Sequence, residues 1–173
     1  YGQCKAISER LYIDFANKQK DIKVVLCRYG NVLESRGSVI PYFNSLKHKG
    51  ILPITDPEMT RFMISLEEGV ELVWSAFEDM VGGEIYVKKI PSMKVIDLAE
   101  VIAPKAKKEI IGIRPGEKIH EQMIGVEDSL STYSYKKYFK ILPAINNWQK
   151  DKERIKDGKK VDPFFSYNSK DND

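Results

Sequence analysis

Tyr1 and Lys5 stand four residues apart at the start of the sequence, in Tyr-Gly-Gln-Cys-Lys. On a helix, side chains at this spacing project from the same side, one turn apart. An ammonium group beside a phenol favours the phenolate, so the pair could act as a base near neutral pH. Tyr and Lys at this spacing are also common in helices without a catalytic role, and the spacing alone leaves both interpretations open.

The elements that would position this pair follow directly. Apolar residues at three- to four-residue intervals predict an amphipathic helix from Tyr1 to about Lys20. The β-branched run from Ile22 to Cys27 predicts a largely buried strand, and Tyr29 to Ser38 predicts a loop at its carboxyl end. Because ligands bind at the carboxyl ends of strands in open parallel sheets, this loop is a candidate binding site.

Short elements alternate along the rest of the chain, which favours an α/β fold. Helices are predicted over 39–49, 65–80, 94–102 and 118–123, and strands over 51–54, 84–87, 109–113 and 138–142. Leu66, Val70, Val73 and Phe77 share one face of the second of these helices, and Trp74 is expected in the core or at an oligomer interface. The charge-dense segment 149–160 is predicted to be solvated.

Composition narrows the classes of partner. The 173 residues include 28 Lys and Arg against 25 Asp and Glu, a balance that does not predict nucleic-acid binding but fits small anions. Cys4 and Cys27 form no CxxC or metal-ligand spacing, so two buried thiols and no metal site are expected. No apolar run approaches the roughly 18 residues of a membrane span. A soluble, cytoplasmic protein without a membrane partner is therefore predicted.

The ends of the chain suggest a piece of a longer protein. The sequence opens on Tyr1 rather than Met and stops just after a predicted last strand. None of its eleven glycines forms a Gly-x-Gly-x-x-Gly turn, so no pyrophosphate-binding turn for a dinucleotide is present. Any such turn is expected upstream.

A series of linked motifs narrows the family. After Tyr-x-x-x-Lys come Ala6–Leu11, Arg28–Val32, Ser35–Pro41, Ile54–Asp56, Met59–Phe62, Ile90–Lys94 and Gly112–Glu121. This series resembles the extended short-chain dehydrogenase/reductases, and among them the inverting UDP-N-acetylglucosamine 4,6-dehydratases of pseudaminic acid biosynthesis. The resemblance spans about residues 1–127, weakens to about 151 and returns faintly at 165–167.

The resemblance implies an NADP-binding Rossmann domain and a smaller α/β substrate-binding domain that interleave in the parent protein. Residues 1–38 would end the first domain, 39–130 would form the substrate-binding region, and 131–173 would be a variable segment. A homo-oligomer is also implied. Tyr1 would remove the proton from O4 of the sugar during its oxidation by NADP, and Lys5 would assist Tyr1 and contact the cofactor. The acid and base of the elimination step are not expected in this chain.

Eight residues are carried over as contacts to the UDP-sugar. They are Asn31, Arg36, Gly37, Ser38, Val39, Arg61, Arg114 and Glu117. Physically, the 36–39 loop offers backbone donors and a guanidinium for two phosphates. The resemblance places Arg114 near the pyrophosphate and Glu117 on the ribose hydroxyls. One departure is Glu34, a carboxylate beside this loop where such enzymes usually have a small residue, which would repel a pyrophosphate that it faced.

Two other functions remain open. One is the related capsule-type 4,6-dehydratase/5-epimerase group, which shares the Met-Thr-Arg-Phe motif. The other is a UDP-sugar-binding module without catalysis, since the chain keeps the substrate contacts but lacks the dinucleotide turn.

Overall fold

The computed structural model describes residues 2–19, 21–142 and 151–172. Its helices are α1 (Gly2–Lys18), α2 (Val39–Leu46), α3 (Leu66–Asp79), α4 (Val95–Ile102) and α5 (Val126–Ser129), with a 3₁₀ turn at Lys47–Lys49. Its strands are β1 (Leu26–Arg28), β2 (Asn31–Val32), β3 (Ile51–Ile54), β4 (Thr60–Ile64), β5 (Ile85–Lys88), β6 (Ser92–Lys94), β7 (Lys107–Ile110), β8 (Gln122–Ile124), β9 (Thr132–Ser134), β10 (Tyr138–Ile141), β11 (Lys159–Lys160) and β12 (Tyr167–Asn168). The alternation confirms the predicted α/β class.

The chain forms two compact units, and each is assembled from three separate segments. The first comprises 1–28, 67–89 and 123–166, and the second comprises 29–66, 90–122 and 167–173. These units differ from a division into 1–38, 39–130 and 131–173, because 67–89 belongs with the first segment rather than with its sequence neighbours. The assignment of those three ranges to domains of a parent protein stays a prediction.

The first unit is built on a five-stranded sheet in the order β1-β5-β10-β9-β11. Strand β1 runs parallel to β5, and β10 pairs antiparallel with both β5 and β9. Helix α3 covers the sheet through a small cluster of Leu72, Ala76 and Tyr86. Every residue of β5 is buried, as expected for a central strand.

The second unit contains a three-stranded sheet, β2-β4-β6, and the parallel pair β3-β7. Helices α2 and α4 enclose the core, whose buried members are Phe43, Leu52, Ile54, Met59, Val95, Ala99, Ala103 and Ala106. Pro53 is tolerated in β3 because that strand pairs on one side only, with β7. Pro104 follows α4 closely, as predicted, since proline cannot continue a helix.

The helices at 2–18 and 66–79 were correctly predicted, and so was the exposure of Ile7 and Leu11 on the first, but the apolar face of the second does not lie where burial was expected. On α1, Ile7 and Leu11 are 60% and 64% exposed, and Ile13 is the buried residue. On α3 the face that carries Val70 and Trp74 is exposed, so Trp74 is not in the core of the described chain. The buried residues of α3 are Gly69, Leu72 and Ala76.

Three element predictions fail wholly or in part. The strand expected at 109–113 lies earlier, at Lys107–Ile110. The strand expected from Ile22 to Cys27 is shortened to Leu26–Arg28, because its ladder with β5 has only three residue pairs. The helix expected at 118–123 does not form. That segment instead hydrogen-bonds to neighbouring strands, as where the Thr60 amide donates to the Ile119 carbonyl.

The thiol prediction is also wrong for Cys4, which is exposed. Cys27 is half-buried within the first unit, and burial raises its pKa to about 11. A thiol that stays protonated at neutral pH is a poor nucleophile.

Buried ion pairs tie distant segments of the first unit together. Arg28 pairs with the Glu9 carboxylate on α1, and donates to the Met123 carbonyl at 2.6 Å and to Asp128 at 3.0 Å. Arg154, in the stretch predicted to be solvated, is buried and pairs with the fully buried Glu84. The prediction for 149–160 is therefore wrong at Arg154; residues 149 and 150 lie outside the described part of the chain.

Gly30 permits an unusually close approach of two backbones in the second unit. A Cβ built on Gly30 would lie 2.5 Å from both the Cβ and the carbonyl oxygen of Phe62, on β4. No side chain fits at that distance. Glycine is thus required for β2, which follows immediately, to pair with β4 through Asn31–Met63 and Val32–Ile64.

Gly30→Ala is expected to lower the free energy of unfolding by about 1 to 3 kcal/mol, because the added methyl group must displace backbone atoms. Chemical denaturation measures the change. Gly69→Ala is the matched control, since nothing lies within 4 Å of its built Cβ. The control should raise stability by about 0.5 to 1 kcal/mol through helix propensity. Equal effects at the two sites would contradict the proposed clash.

Candidate functional site

A cavity of about 690 Å³ opens in the second unit. It is lined by the 31–43 segment, β3 and β4, the start of α4, and the loop that carries Arg114 and Glu117. All eight residues predicted to contact the UDP-sugar line this cavity. Its size is within the range of small-molecule sites, which is about 300 to 1,000 Å³.

The start of α2 supplies hydrogen-bond donors to the cavity. Gly37 adopts a left-handed φ of 75°, and Ser38 is the N-cap residue of α2. An N-cap serine usually accepts a hydrogen bond from the second or third helical residue, but the third here is Pro41, which has no N–H. The Ser38 hydroxyl is consequently buried without a hydrogen-bond partner among the described residues. Together with the helix dipole, it favours an anion at this point.

Arg36 and Arg114 provide the positive charge. Both are exposed, and neither guanidinium has a hydrogen bond or ion pair within the part of the chain that the structure describes. Arg114 begins a tight turn, in which the Glu117 amide donates to the Arg114 carbonyl at 3.0 Å and Gly116 has a φ of 81°. The Glu117 carboxylate in turn accepts from the Arg114 amide at 3.3 Å. The turn thus presents a guanidinium and a carboxylate side by side.

Arg61 lines the same cavity but is already engaged. Its guanidinium donates to the carbonyls of Thr60, Lys118 and Ile119 at 2.7 to 2.9 Å. It also lies 3.7 Å from the Glu121 carboxylate. Burial raises the pKa of Glu121, against the opposing effects of the Phe62 amide, Arg61 and Lys118. The geometry gives Arg61 a structural task, holding the segment that follows Glu117, and its contact with a phosphate stays a prediction.

A cluster of hydroxyl groups that the sequence analysis missed also contacts the segment after Glu117, at His120 and Glu121. The Thr60 hydroxyl lies 2.8 Å from Nδ1 of His120 and 2.7 Å from the Ser169 hydroxyl. Ser169 also accepts from the Glu121 amide at 2.8 Å. The faint return of family resemblance at 165–167 was the one indication that the end of the chain packs here.

The structure describes one member of the predicted catalytic pair, Lys5, and places it in the first unit. Tyr1 lies outside the described residues, and Lys5 is an exposed residue of α1. Glu34, whose carboxylate raised a concern about repulsion, adopts a left-handed φ of 58°, is exposed, and is not among the residues that line the cavity. Its backbone conformation carries the side chain out of the lining.

The described residues include neither a group of metal ligands nor a helix that could span a membrane. Across 2–19, 21–142 and 151–172, no three His, Cys, Asp or Glu side chains are grouped as metal ligands would be. Over the same residues, no helix combines the length and apolar character of a membrane span.

Comparison with known proteins gives consistent matches. Residues 1–143 match a family model described as polysaccharide biosynthesis protein. A UDP-N-acetylglucosamine 4,6-dehydratase (inverting) from Campylobacter jejuni is 48% identical over 99% of this chain and 54% of the relative. A UDP-glucose 4-epimerase from Rickettsia canadensis is 38% identical over 98% of this chain and 52% of the relative. The chain spans about half the length of these relatives.

Solved structures agree on the fold. Pen from Bacillus thuringiensis superimposes with a TM-score of 0.86 at 30% identity, over 99% of this chain and 53% of Pen. The dTDP-glucose 4,6-dehydratase from Bacillus anthracis, solved in complex with NAD, gives 0.58 at 16% identity over 66% of this chain and 40% of that one. The second likeness is one of fold alone.

A substitution of Ser38 tests whether its unpartnered hydroxyl caps α2. Replacing an N-cap serine with alanine usually costs about 0.5 to 2 kcal/mol. Because the Ser38 hydroxyl makes no cap hydrogen bond and is buried without a partner among the described residues, Ser38→Ala should not lower the free energy of unfolding, and it should raise it by up to about 1 to 3 kcal/mol. Thermal denaturation measures it. A loss of 1 kcal/mol or more would mean that the hydroxyl does cap α2 in solution.

Proposed function

Because the chain belongs to the polysaccharide biosynthesis protein family of extended short-chain dehydrogenase/reductases, we propose that it is part of an inverting UDP-N-acetylglucosamine 4,6-dehydratase. The observation that carries the proposal is the cavity of the second unit. It gathers two arginines that lack partners in the described part of the chain, a buried hydroxyl that is likewise unpartnered, and a helix N-terminus in one place. The 48% identity to a relative of that name supports the same substrate.

The diphosphate of the substrate would lie against Arg36, Ser38 and Arg114. Charge-assisted hydrogen bonds from guanidinium groups to phosphate are about twice as strong as neutral ones. Glu117 would accept hydrogen bonds from the ribose hydroxyls. The apolar lining residues, such as Ile40 and Met63, would exclude water from the base and the sugar.

The proposed chemistry at the sugar involves Tyr1 and Lys5. Tyr1 would take the proton from the O4 hydroxyl as C4 is oxidised, and the Lys5 ammonium would stabilise the phenolate. NADP, when bound, supplies a reversible hydride acceptor and donor. After the oxidation, the resulting ketone would acidify the proton at C5, so that water can leave across C5 and C6.

The described residues fit only a small part of such a cofactor site. Lys5 is exposed on α1 and can donate to a ribose hydroxyl, whereas no glycine-rich turn in this sequence could cradle the pyrophosphate. We therefore place most of the cofactor site in the half of the relatives that this chain does not span. NADP rather than NAD, a homo-oligomer, a cytoplasmic location and a role in pseudaminic acid synthesis belong to the same proposal.

The relatives named UDP-glucose 4-epimerase favour one alternative within the family, a reaction at C4 without loss of water. Analysis of the product by NMR separates the two, since dehydration gives a 4-keto-6-deoxy sugar and epimerisation gives a C4 epimer. The capsule-type dehydratase/5-epimerase is tested by the same spectrum.

In the full-length protein, Tyr1→Phe should lower turnover at least ~10²-fold, because it removes a general base. UDP binding should stay within a few-fold, since the phenol acts on a proton in the reaction and contributes little to ground-state binding. Lys5→Met should weaken cofactor binding as well. If Tyr1→Phe keeps more than about a tenth of wild-type turnover, another residue is the base.

Calorimetric titration with UDP tests the binding site independently of turnover. Arg114→Ala should weaken UDP binding about 10- to 150-fold, the equivalent of about 1.5 to 3 kcal/mol for a charged hydrogen bond. Glu117→Gln should have a smaller effect. Arg10→Ala, which removes an exposed guanidinium from α1, is the matched control and should change nothing. Unchanged affinity in Arg114→Ala would make the turn a structural feature only.

A further inference from the structure

A second cavity, of about 370 Å³, lies in the first unit beside α3 and the β5–β10 pair. Its polar lining includes Lys88, Lys136, Lys137, Tyr135, Tyr138 and Asp157. None of these residues belongs to the predicted nucleotide-sugar contacts. The volume is at the lower end of the range for small-molecule sites.

Lys88 is the anchor of this cavity. Its side chain is only 8% exposed, and its ammonium has a single acceptor in the described chain, the Glu71 carboxylate at 3.4 Å. An ammonium carries three donors, and a buried charge is costly unless it is paired and hydrogen-bonded. Glu71 is itself 60% exposed, so it compensates the buried charge weakly.

A second buried lysine of the first unit, Lys140, has its charge both paired with a carboxylate and hydrogen-bonded. Lys140 pairs with the Asp79 carboxylate, donates to the Arg154 carbonyl at 2.9 Å, and lies over the rings of Tyr86 and Tyr135. Lys88 has none of these additional partners. The difference is that Lys88 faces a cavity, where a ligand can supply the missing acceptors.

The charge of the lining favours an anion. Three lysines face the cavity against two carboxylates, Asp157 in the lining and Glu71 beside Lys88, which leaves an excess of one positive charge. Burial raises the pKa of Tyr138 to about 12, with Asp79 adding to the rise, and the neutral hydroxyl is already hydrogen-bonded to the Asp79 carboxylate. The lysines are therefore the donors for a ligand. A phosphate monoester carries about −1.5 to −2 charges at neutral pH, the sign that the excess favours.

The aromatic residues define the shape of the ligand that would fit. Tyr135 and Tyr138 stack on each other, with centroids 4.9 Å apart, and the Tyr135 ring also packs against Gly158 so closely that a Cβ there would lie 2.6 Å from it. The Tyr135 hydroxyl donates to the Arg154 carbonyl at 3.3 Å. Because the two rings stack on each other and both hydroxyls are already hydrogen-bonded within the protein, the pair offers ring edges instead of a stacking surface, which favours a polar ligand held by the lysines over a flat aromatic one.

We propose that this cavity is a second ligand site, which binds the phosphate monoester of a small polar molecule through Lys88 and the lysines of the 136–137 turn. The turn is held in place by the hydrogen bond from the Lys89 amide to the Lys137 carbonyl, at 3.1 Å. The site is independent of the proposed dehydratase activity.

Calorimetric titration of the full-length protein tests this, with saturating UDP present to occupy the larger cavity. The probes are inorganic phosphate, glucose 1-phosphate and uridine monophosphate, so that a sugar phosphate is distinguished from a nucleotide. Glucose 1-phosphate should bind more tightly than the other two. Lys88→Met, which keeps the length and apolar stem of the side chain, should weaken that binding about 10- to 150-fold, the range expected for losing a charged hydrogen bond.

Lys23→Met is the matched control, since it removes one exposed charge outside the cavity and should leave the binding unchanged. If Lys88→Met does not fold, Lys137→Met at the exposed turn replaces it and should weaken binding several-fold. Preferential binding of uridine monophosphate would overturn the choice of a sugar phosphate. No saturable binding of any probe, or equal affinity in the lysine variants and the wild type, would overturn the site itself.

Discussion

The close approach of Gly30 to Phe62 is the constraint on which the candidate site depends. Because a side chain at residue 30 would collide with the backbone of β4, only glycine lets the chain enter β2 at that distance. The pairing places Asn31 and the loop after it along β4, where Arg61 stands. From there the chain continues into the left-handed turn at Gly37 and the start of α2. One wall of the cavity is thus set by a residue that has no side chain of its own.

The arginines discussed above fall into two groups, according to whether their guanidinium groups have partners within the protein. Arg28, Arg61 and Arg154 are partly or fully buried, and each is satisfied by carboxylates and carbonyls that join separate segments. Arg36 and Arg114 are exposed at a cavity and lack such partners in the described chain. The first group joins separate segments of each unit, and the second has its donors available to a ligand. Arg61 belongs to the first group but also lines the cavity, and its contact with a phosphate stays a prediction.

Much of the fold follows from the sequence, and the exceptions have physical causes. Elements at 39–49, 51–54, 66–79, 95–102 and 138–141 were predicted because periodicity and flanking Gly or Pro define them locally. The face of α3 was not predictable, since residues 66, 70, 73 and 77 and residues 69, 72 and 76 both repeat at helical spacing. Arg154 could not be recognised as buried, since its partner Glu84 is distant in sequence.

The cavity residues were found through family motifs, whereas the Thr60–His120–Ser169 cluster depends on contacts across more than a hundred residues.

The same criterion, whether a buried polar group is satisfied, separates structural from ligand-binding residues throughout the molecule. Lys140 and Glu84 are buried and fully partnered, and they serve the fold. Ser38 and Lys88 are buried and incompletely partnered, and each lines a cavity. Folding alone does not explain such groups, because an unsatisfied buried donor costs about 1 to 3 kcal/mol. A ligand that supplies the missing acceptors recovers this cost on binding. Incomplete satisfaction beside a cavity is therefore the observation that supports the binding roles proposed for Ser38 and Lys88.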